Sequence, residues 1–272
     1  MPFAEANGVK LYYELNGDRG DPVVLIHGSW SDHTNWDLVV PSLAENFRVL
    51  TYDRRGLGKS EKTGTQGSGE EDALDVSALI TQLGLIPVHV VGNSFGGSIA
   101  LKLAALQPSI FRSLMVHEPP LFEVLREERS AMPMLLEERK RIEQVIRLLE
   151  SGDKTAGARL FIETIILRPG MWETLPEQLR ETIVANADTW LDETKDPHAL
   201  DVDLEALAKF RKPVLLTYGG KGLRGSGLVI ERLAKTIPNS QAEFDPDEGH
   251  TPHLSNPTKF VGSVRAFVQS TG

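Results

Sequence analysis

Ser94 is the side chain whose neighbours most clearly equip it for chemistry. It stands in Val90-Val91-Gly92-Asn93-Ser94-Phe95-Gly96-Gly97, at the end of an apolar run over residues 87–91 that reads as a short buried strand. From residue 98 to residue 107 apolar positions recur at helical spacing, and Pro108 stops them. The serine therefore occupies a strand-to-helix corner. Gly92, Gly96 and Gly97 clear side chains from both sides of it, so the backbone can turn sharply and the helix can pack close to the sheet. Gly and Ser are common turn residues and a bare G-x-S-x-G arises by chance, but the strand, turn and helix around this one are what a nucleophile elbow requires. A serine hydroxyl is a weak nucleophile at neutral pH, so it needs a base within hydrogen-bond reach and a group that orients the base.

The rest of the chain has to bring those partners in. It has 272 residues, enough for one large core or a core carrying an insertion. Residues 3–15 alternate around Asn7-Gly8, a hairpin signal. Buried strands are expected over 22–26, 48–52 and 113–117, with helices over 36–45 and 72–83. Alternating strands and helices predict an α/β fold: a mostly parallel, twisted sheet with right-handed crossovers and helices on both faces. After residue 121 the strand signals vanish. Leu135, Ile142, Val145, Ile146 and Leu149 recur at helical spacing, and two further helical patterns cover 155–167 and 176–191. The strand rhythm returns at 214–218 and 241–244, with helices over 228–236 and 256–269. The expected division is a core of residues 1–120 and 210–272 and an inserted helical lid over 121–209.

A net charge of −9 without a local basic patch argues against a nucleic-acid partner. There is no cysteine, so thiolate chemistry, disulfides and Cys-type zinc sites are excluded. No apolar run approaches a membrane span and the first residues do not read as a signal peptide, so a cytoplasmic protein without a membrane partner is the expectation. The sequence leaves self-association open.

Four stretches together resemble the α/β-hydrolase superfamily over nearly the whole chain. They are His27-Gly28 after an early strand, Asp53-Arg54-Arg55-Gly56-Leu57-Gly58-Lys59-Ser60 after the next, the Ser94 elbow, and Gly249-His250 near the end. The resemblance implies a Ser, acid, His triad in that chain order and a lid inserted after the strand that follows the elbow helix. His250 fits the family's Gly-His position and is the expected base. His253 lies close behind, but Pro252 between them opposes an exchange of roles.

The acid departs from the commonest family pattern. The stretch after the 214–218 strand, Gly219-Gly220-Lys221-Gly222-Leu223, holds no carboxylate. Some family members, certain haloalkane dehalogenases and the zearalenone lactonases among them, place a Glu after the preceding strand. That position is Glu118 here, in Val116-His117-Glu118-Pro119-Pro120, where a charge would otherwise be costly to bury. Asp247, near His250 in sequence, is the rival. For the oxyanion hole the family position implies the backbone N–H groups of Phe95 and Ser29, with Trp30 as the alternative to Ser29. His27, Asp53 and the arginines after it read as loop bracing.

Three other patterns carry less. Gly220-Lys221-Gly222-Leu223-Arg224-Gly225 satisfies G-x-G-x-x-G, but a dinucleotide site needs βα units that do not follow. Gly58-Lys59-Ser60 mimics the end of a P-loop whose first glycine would fall on Asp53. Asp245, Asp247, Glu248, His250 and His253 could be drawn as a metal cluster, yet Pro246 and Pro252 prevent the helix that would align them. No cofactor and no metal are expected. The leading expectation is a serine hydrolase acting on a carboxylic ester or lactone, a small-molecule substrate. An amidase or C–C bond hydrolase with the same triad, a small-molecule receptor, and a cofactor-independent lyase or oxygenase are the alternatives.

Overall fold

The computed structural model describes residues 2–64 and 67–271. Eight strands form a single sheet: β1 (Phe3–Ala6), β2 (Val9–Asn16), β3 (Pro22–Ile26), β4 (Arg48–Tyr52), β5 (Val88–Asn93), β6 (Phe111–His117), β7 (Val214–Lys221) and β8 (Ser240–Gly249), in the order β1-β2-β4-β3-β5-β6-β7-β8. β1 and β2 are antiparallel, joined by Asn7-Gly8 with both residues at positive φ, which matches the strand twist of a two-residue hairpin. β2 is antiparallel to β4, and every later pairing is parallel. This is the expected α/β sheet.

The sheet order reverses direction between β3 and β5, since β3 leads outward to β4 while β5 leads the other way to β6 and β7. Such a switch point opens a crevice outside the carboxyl ends of the strands. Register sharpens this: Ile26 pairs with Gly92, Asn93 with His117, and His117 with Thr217. The segments that begin at His27, Ser94, Glu118 and His250 therefore leave the same end of the sheet.

All residues of β3 and β5 are buried, as parallel strands covered on both faces must be. One apolar core includes Leu79 and Ile99 and lies on one face; a second, with Trp36, Phe260 and Val264, lies on the other. Between β6 and β7 the chain is helical with connecting turns. There a third cluster, Val145, Leu149, Phe161, Trp172, Ile183 and Trp190, encloses Trp30 from the loop after β3. Among the described residues no helix is long and apolar enough to cross a membrane.

Several boundaries differ from the sequence reading. The expected helix over 36–45 is a 3₁₀ turn (His33–Trp36) and a short helix (Val40–Ala44). The 155–167 pattern is an α-helix (Lys154–Phe161) that widens into a π turn (Ile162–Ile166), closed by the Leu167 N–H donating to the Ile162 carbonyl at 2.7 Å. The 176–191 pattern breaks at Asn186, whose amide donates to the Ser31 carbonyl at 3.3 Å, into helices Glu177–Ala185 and Ala187–Glu193. β7 runs on to Lys221 and β8 to Gly249 because the two pair beyond the apolar stretch that marked them.

Candidate active site

Ser94 sits between β5 and the helix Phe95–Leu106 with φ 56° and ψ −130°, a conformation that an L-residue adopts at a cost of about 1–3 kcal/mol. Its N–H donates to the His117 carbonyl of β6 at 2.9 Å, which fixes the corner to the sheet. The glycines serve as the sequence implied: a side chain on Gly96 would run into the carbonyls of Ile26 and His27, so only glycine lets the helix start against β3.

Glu118 follows β6, also at positive φ (46°), and is fully buried. Its carboxylate accepts the N–H of Gly219 at 2.9 Å, the N–H of Leu223 at 2.8 Å, the Ser226 hydroxyl at 3.3 Å and His250 Nδ1 at 2.8 Å. Burial pushes the Glu118 carboxyl up, but the hydrogen bond and charge of His250, helped by the Leu223 N–H, outweigh it and hold it below the ordinary value. The carboxylate-free Gly219–Leu223 stretch is thus not empty of function: it supplies donors, and a Cβ on Gly222 would overlap Glu118 Oε1. Asp247 is largely exposed and faces Lys221 at 3.4 Å. The structure brings Glu118, and not Asp247, to His250.

Because His250 donates from Nδ1 to a carboxylate, Nε2 is the free acceptor in the neutral ring. Nε2 is buried with no hydrogen-bond partner, and His250 and Ser94 line the same cavity. No direct hydrogen bond joins them here; such contacts tighten when substrate binds. The His250 carbonyl accepts from Asn93 Nδ2 at 2.8 Å, and the Gly249 carbonyl accepts from His117 Nε2 at 3.0 Å. Burial, with His250 nearby, drives the His117 imidazole down to about 4 against the pull of Glu118, so it is a neutral brace. His253 is also buried, and its Nε2 lies 2.8 Å from Asn35 Nδ2.

Ser29 and Phe95 both line the cavity. The Gly28 carbonyl accepts from His27 Nδ1 at 2.9 Å and from Ser31 Oγ and Arg54 Nη1 at 3.2 Å each. In the trans peptide that follows, the Ser29 N–H points the opposite way from that pinned carbonyl. Phe95 is the first residue of its helix, where an N–H has no intrahelical acceptor. Trp30, at φ 64°, is turned toward the helical insertion, stacked at 5.0 Å on Phe161 and tilted against Trp190 at 5.0 Å.

One cluster was not legible. Arg54, fully buried, pairs with Asp72 at 3.3 Å and with Glu193 of the helical insertion, and Glu193 Oε2 accepts the Ser29 hydroxyl at 2.6 Å. Loop bracing was expected of Arg54, but its link to Glu193 spans 139 positions and leaves no local pattern. His27, as expected, braces: its Nε2 accepts the Arg54 N–H at 3.2 Å. Asp32, His33 and Asp53 each place one ligand-type atom within 4.8 Å of the others, but Asp53 already accepts the His33 N–H and ring and the Lys59 N–H. Asp245 and Glu248 of the drawn metal cluster bond instead to Lys259 and to Ser255 and Asn256.

The family model for the alpha/beta hydrolase fold matches residues 21–257. The chain belongs to this α/β-hydrolase family. It is 28% identical over 269 residues to the dihydrolipoyllysine-residue acetyltransferase component of an acetoin cleaving system from Pseudomonas putida, a match covering 98% of this chain and 68% of that protein. Over 101 residues it is 42% identical to a soluble epoxide hydrolase of Corynebacterium sp. (strain C12), a match covering 37% of this chain and 35% of the relative. The crystal structure of an enol-lactonase from Burkholderia xenovorans LB400 superposes with a TM-score of 0.81 at 21% identity, over 98% of this chain and 100% of that one, a likeness of fold. For this α/β-hydrolase the comparisons thus agree on architecture while the named activities differ.

Proposed function

We propose that the chain is a cofactor-free serine hydrolase that cleaves a carboxylic ester or lactone through an acyl-enzyme, beneath a lid formed by the helical insertion. Ser94 is the nucleophile, His250 the base and Glu118 the acid that orients it. The observation that carries this reading is the imidazole of His250: one nitrogen is held by Glu118 at 2.8 Å, and the other is buried, unpartnered and in the cavity that Ser94 lines. Ser94 Oγ attacks the substrate carbonyl while Nε2 takes its proton, and Glu118 stabilises the imidazolium that results. The N–H groups of Ser29 and Phe95 receive the oxyanion. Collapse of the tetrahedral intermediate returns the proton to the leaving alkoxide, and water, activated by the same imidazole, releases the acid.

The strained backbone at Ser94 favours a nucleophile over a serine that only donates a hydrogen bond, as a lyase or oxygenase would need. A serine at the elbow also disfavours epoxide opening, in which a carboxylate attacks carbon. A fluorophosphonate should label Ser94, and Ser94→Ala should abolish both labelling and turnover of p-nitrophenyl butyrate. Turnover that survives Ser94→Ala, or a wild-type Ser94 that resists the probe, would overturn the assignment.

A further inference from the structure

The cavity beside Ser94 has a volume of about 410 Å³, within the range of small-molecule sites and enough for roughly a dozen methylene-sized groups at ~30 Å³ each. Much of its wall is branched hydrocarbon. Ile142 and Ile146 lie one helical turn apart on the inner face of the helix Met132–Glu150. Opposite elements add Ile162, Ile165 and Ile166 from the π turn and Ile183. Residues 162, 165 and 166 follow the i, i+3, i+4 spacing that places side chains on one helical face, and all three reach the cavity.

The charged lining leans acidic. Glu123, Glu138, Glu193 and Asp196 contribute to it, and among the described residues the one guanidinium or ammonium in the lining is Arg139, whose side chain is exposed. Glu193 is paired with Arg54 and the buried Glu138 with Arg141 at 3.4 Å, so these cations are already engaged behind the wall, while Glu123 and Asp196 have no ion-pair partner among the described residues. A second carboxylate on a substrate would therefore be desolvated against acidic neighbours.

Resting on the serine-hydrolase reading, we infer that the substrate is a neutral ester or lactone carrying an apolar group of medium length, and that the site discriminates against analogues bearing a distal carboxylate. The test is kcat/KM for p-nitrophenyl esters from C2 to C14, with ω-carboxylated esters of matched length alongside. The expected profile rises about threefold to fourfold per methylene, equivalent to about 0.8 kcal/mol, to a maximum near eight to ten carbons. The ω-carboxylated esters should be at least tenfold poorer. Ile146→Trp should move the maximum to shorter chains and Ile166→Ala to longer ones, so one variant suffices if the other fails to fold. A flat profile, acetate as the best substrate, or a preference for the ω-carboxylate through Arg139 would overturn the inference while leaving the hydrolase reading intact. No turnover of any ester, with Ser94 unlabelled by fluorophosphonate, would sink both.

Discussion

Glu118 and Asp72 are both carboxylates with at most 2% of their surface exposed, yet their acidities move in opposite directions. Glu118 is held below its ordinary value, whereas Asp72 rises to about 7. Desolvation pushes both up. What differs is the supply of donors. Glu118 has two backbone N–H groups, a hydroxyl and an imidazole to itself. Asp72 must share Arg54 with Glu193, whose charge repels it. An imidazole of its own, backed by main-chain donors, keeps a buried acid ionised; a shared guanidinium binds two layers together but leaves one of its acids poorly compensated.

Breaking the shared guanidinium should have the largest effect on stability. Arg54→Met leaves Asp72 and Glu193 buried without their cation and should cost about 3–5 kcal/mol, read from denaturant midpoints. Restoring most of that loss by adding Asp72→Leu and Glu193→Leu would show that the ion cluster is retained for placement rather than for stability. Next is Gly222→Ala, which thrusts a methyl into Glu118 Oε1 and so should lower kcat about a hundredfold through displaced geometry. A smaller change is expected of Glu193→Ala, which frees the Ser29 hydroxyl and loosens the loop that bears one of the two proposed oxyanion donors. Its kcat should fall about tenfold with KM less affected, and Glu193→Gln, which keeps an acceptor for Ser29, should recover most of it.

The last effect is on the pH profile of stability. Burial lowers His27, His89 and His117 to about 4 and His253 to about 3, so between pH 6.5 and 4 the unfolded chain binds protons that the native one refuses. Stability from these groups is present above the unfolded value and lost on acidification. Asp72 acts the other way, because its native form holds a proton from about pH 4 to 7 that the unfolded chain releases. His33, Asp37, Asp75 and Glu138 are also raised and act with Asp72, but less strongly than the four histidines are lowered, so stability should fall from pH 7 to pH 5. Asp72→Asn removes the opposing contribution and should steepen that fall, as measured by urea unfolding at the two pH values.

The same contrast explains what could be read from the sequence. The Ser94 corner was legible because its glycines are required locally, within four residues of the serine, by the approach of helix to sheet. Glu118 was legible because the chain resembles a family in which some members place the acid after that strand, and because a charge ends an apolar strand there while no acid follows β7. Its backbone donors in Gly219–Leu223 were not, since main-chain N–H groups have no residue type. The Arg54–Glu193 pair lay beyond pattern reading because tertiary packing alone brings its members together. The break at Asn186 also answers to a tertiary demand, the Ser31 carbonyl that its amide reaches.

The most direct test of the Glu118–His250 pair compares Glu118→Gln with Asp247→Asn on an ester that the wild type hydrolyses. Glu118→Gln keeps the shape of the side chain but removes the charge and disturbs the tautomer of His250, so kcat should drop about 10³- to 10⁴-fold. Asp247→Asn, at an exposed position facing Lys221, should stay within twofold of wild type. Near-normal kcat in Glu118→Gln together with a large loss in Asp247→Asn would contradict the account.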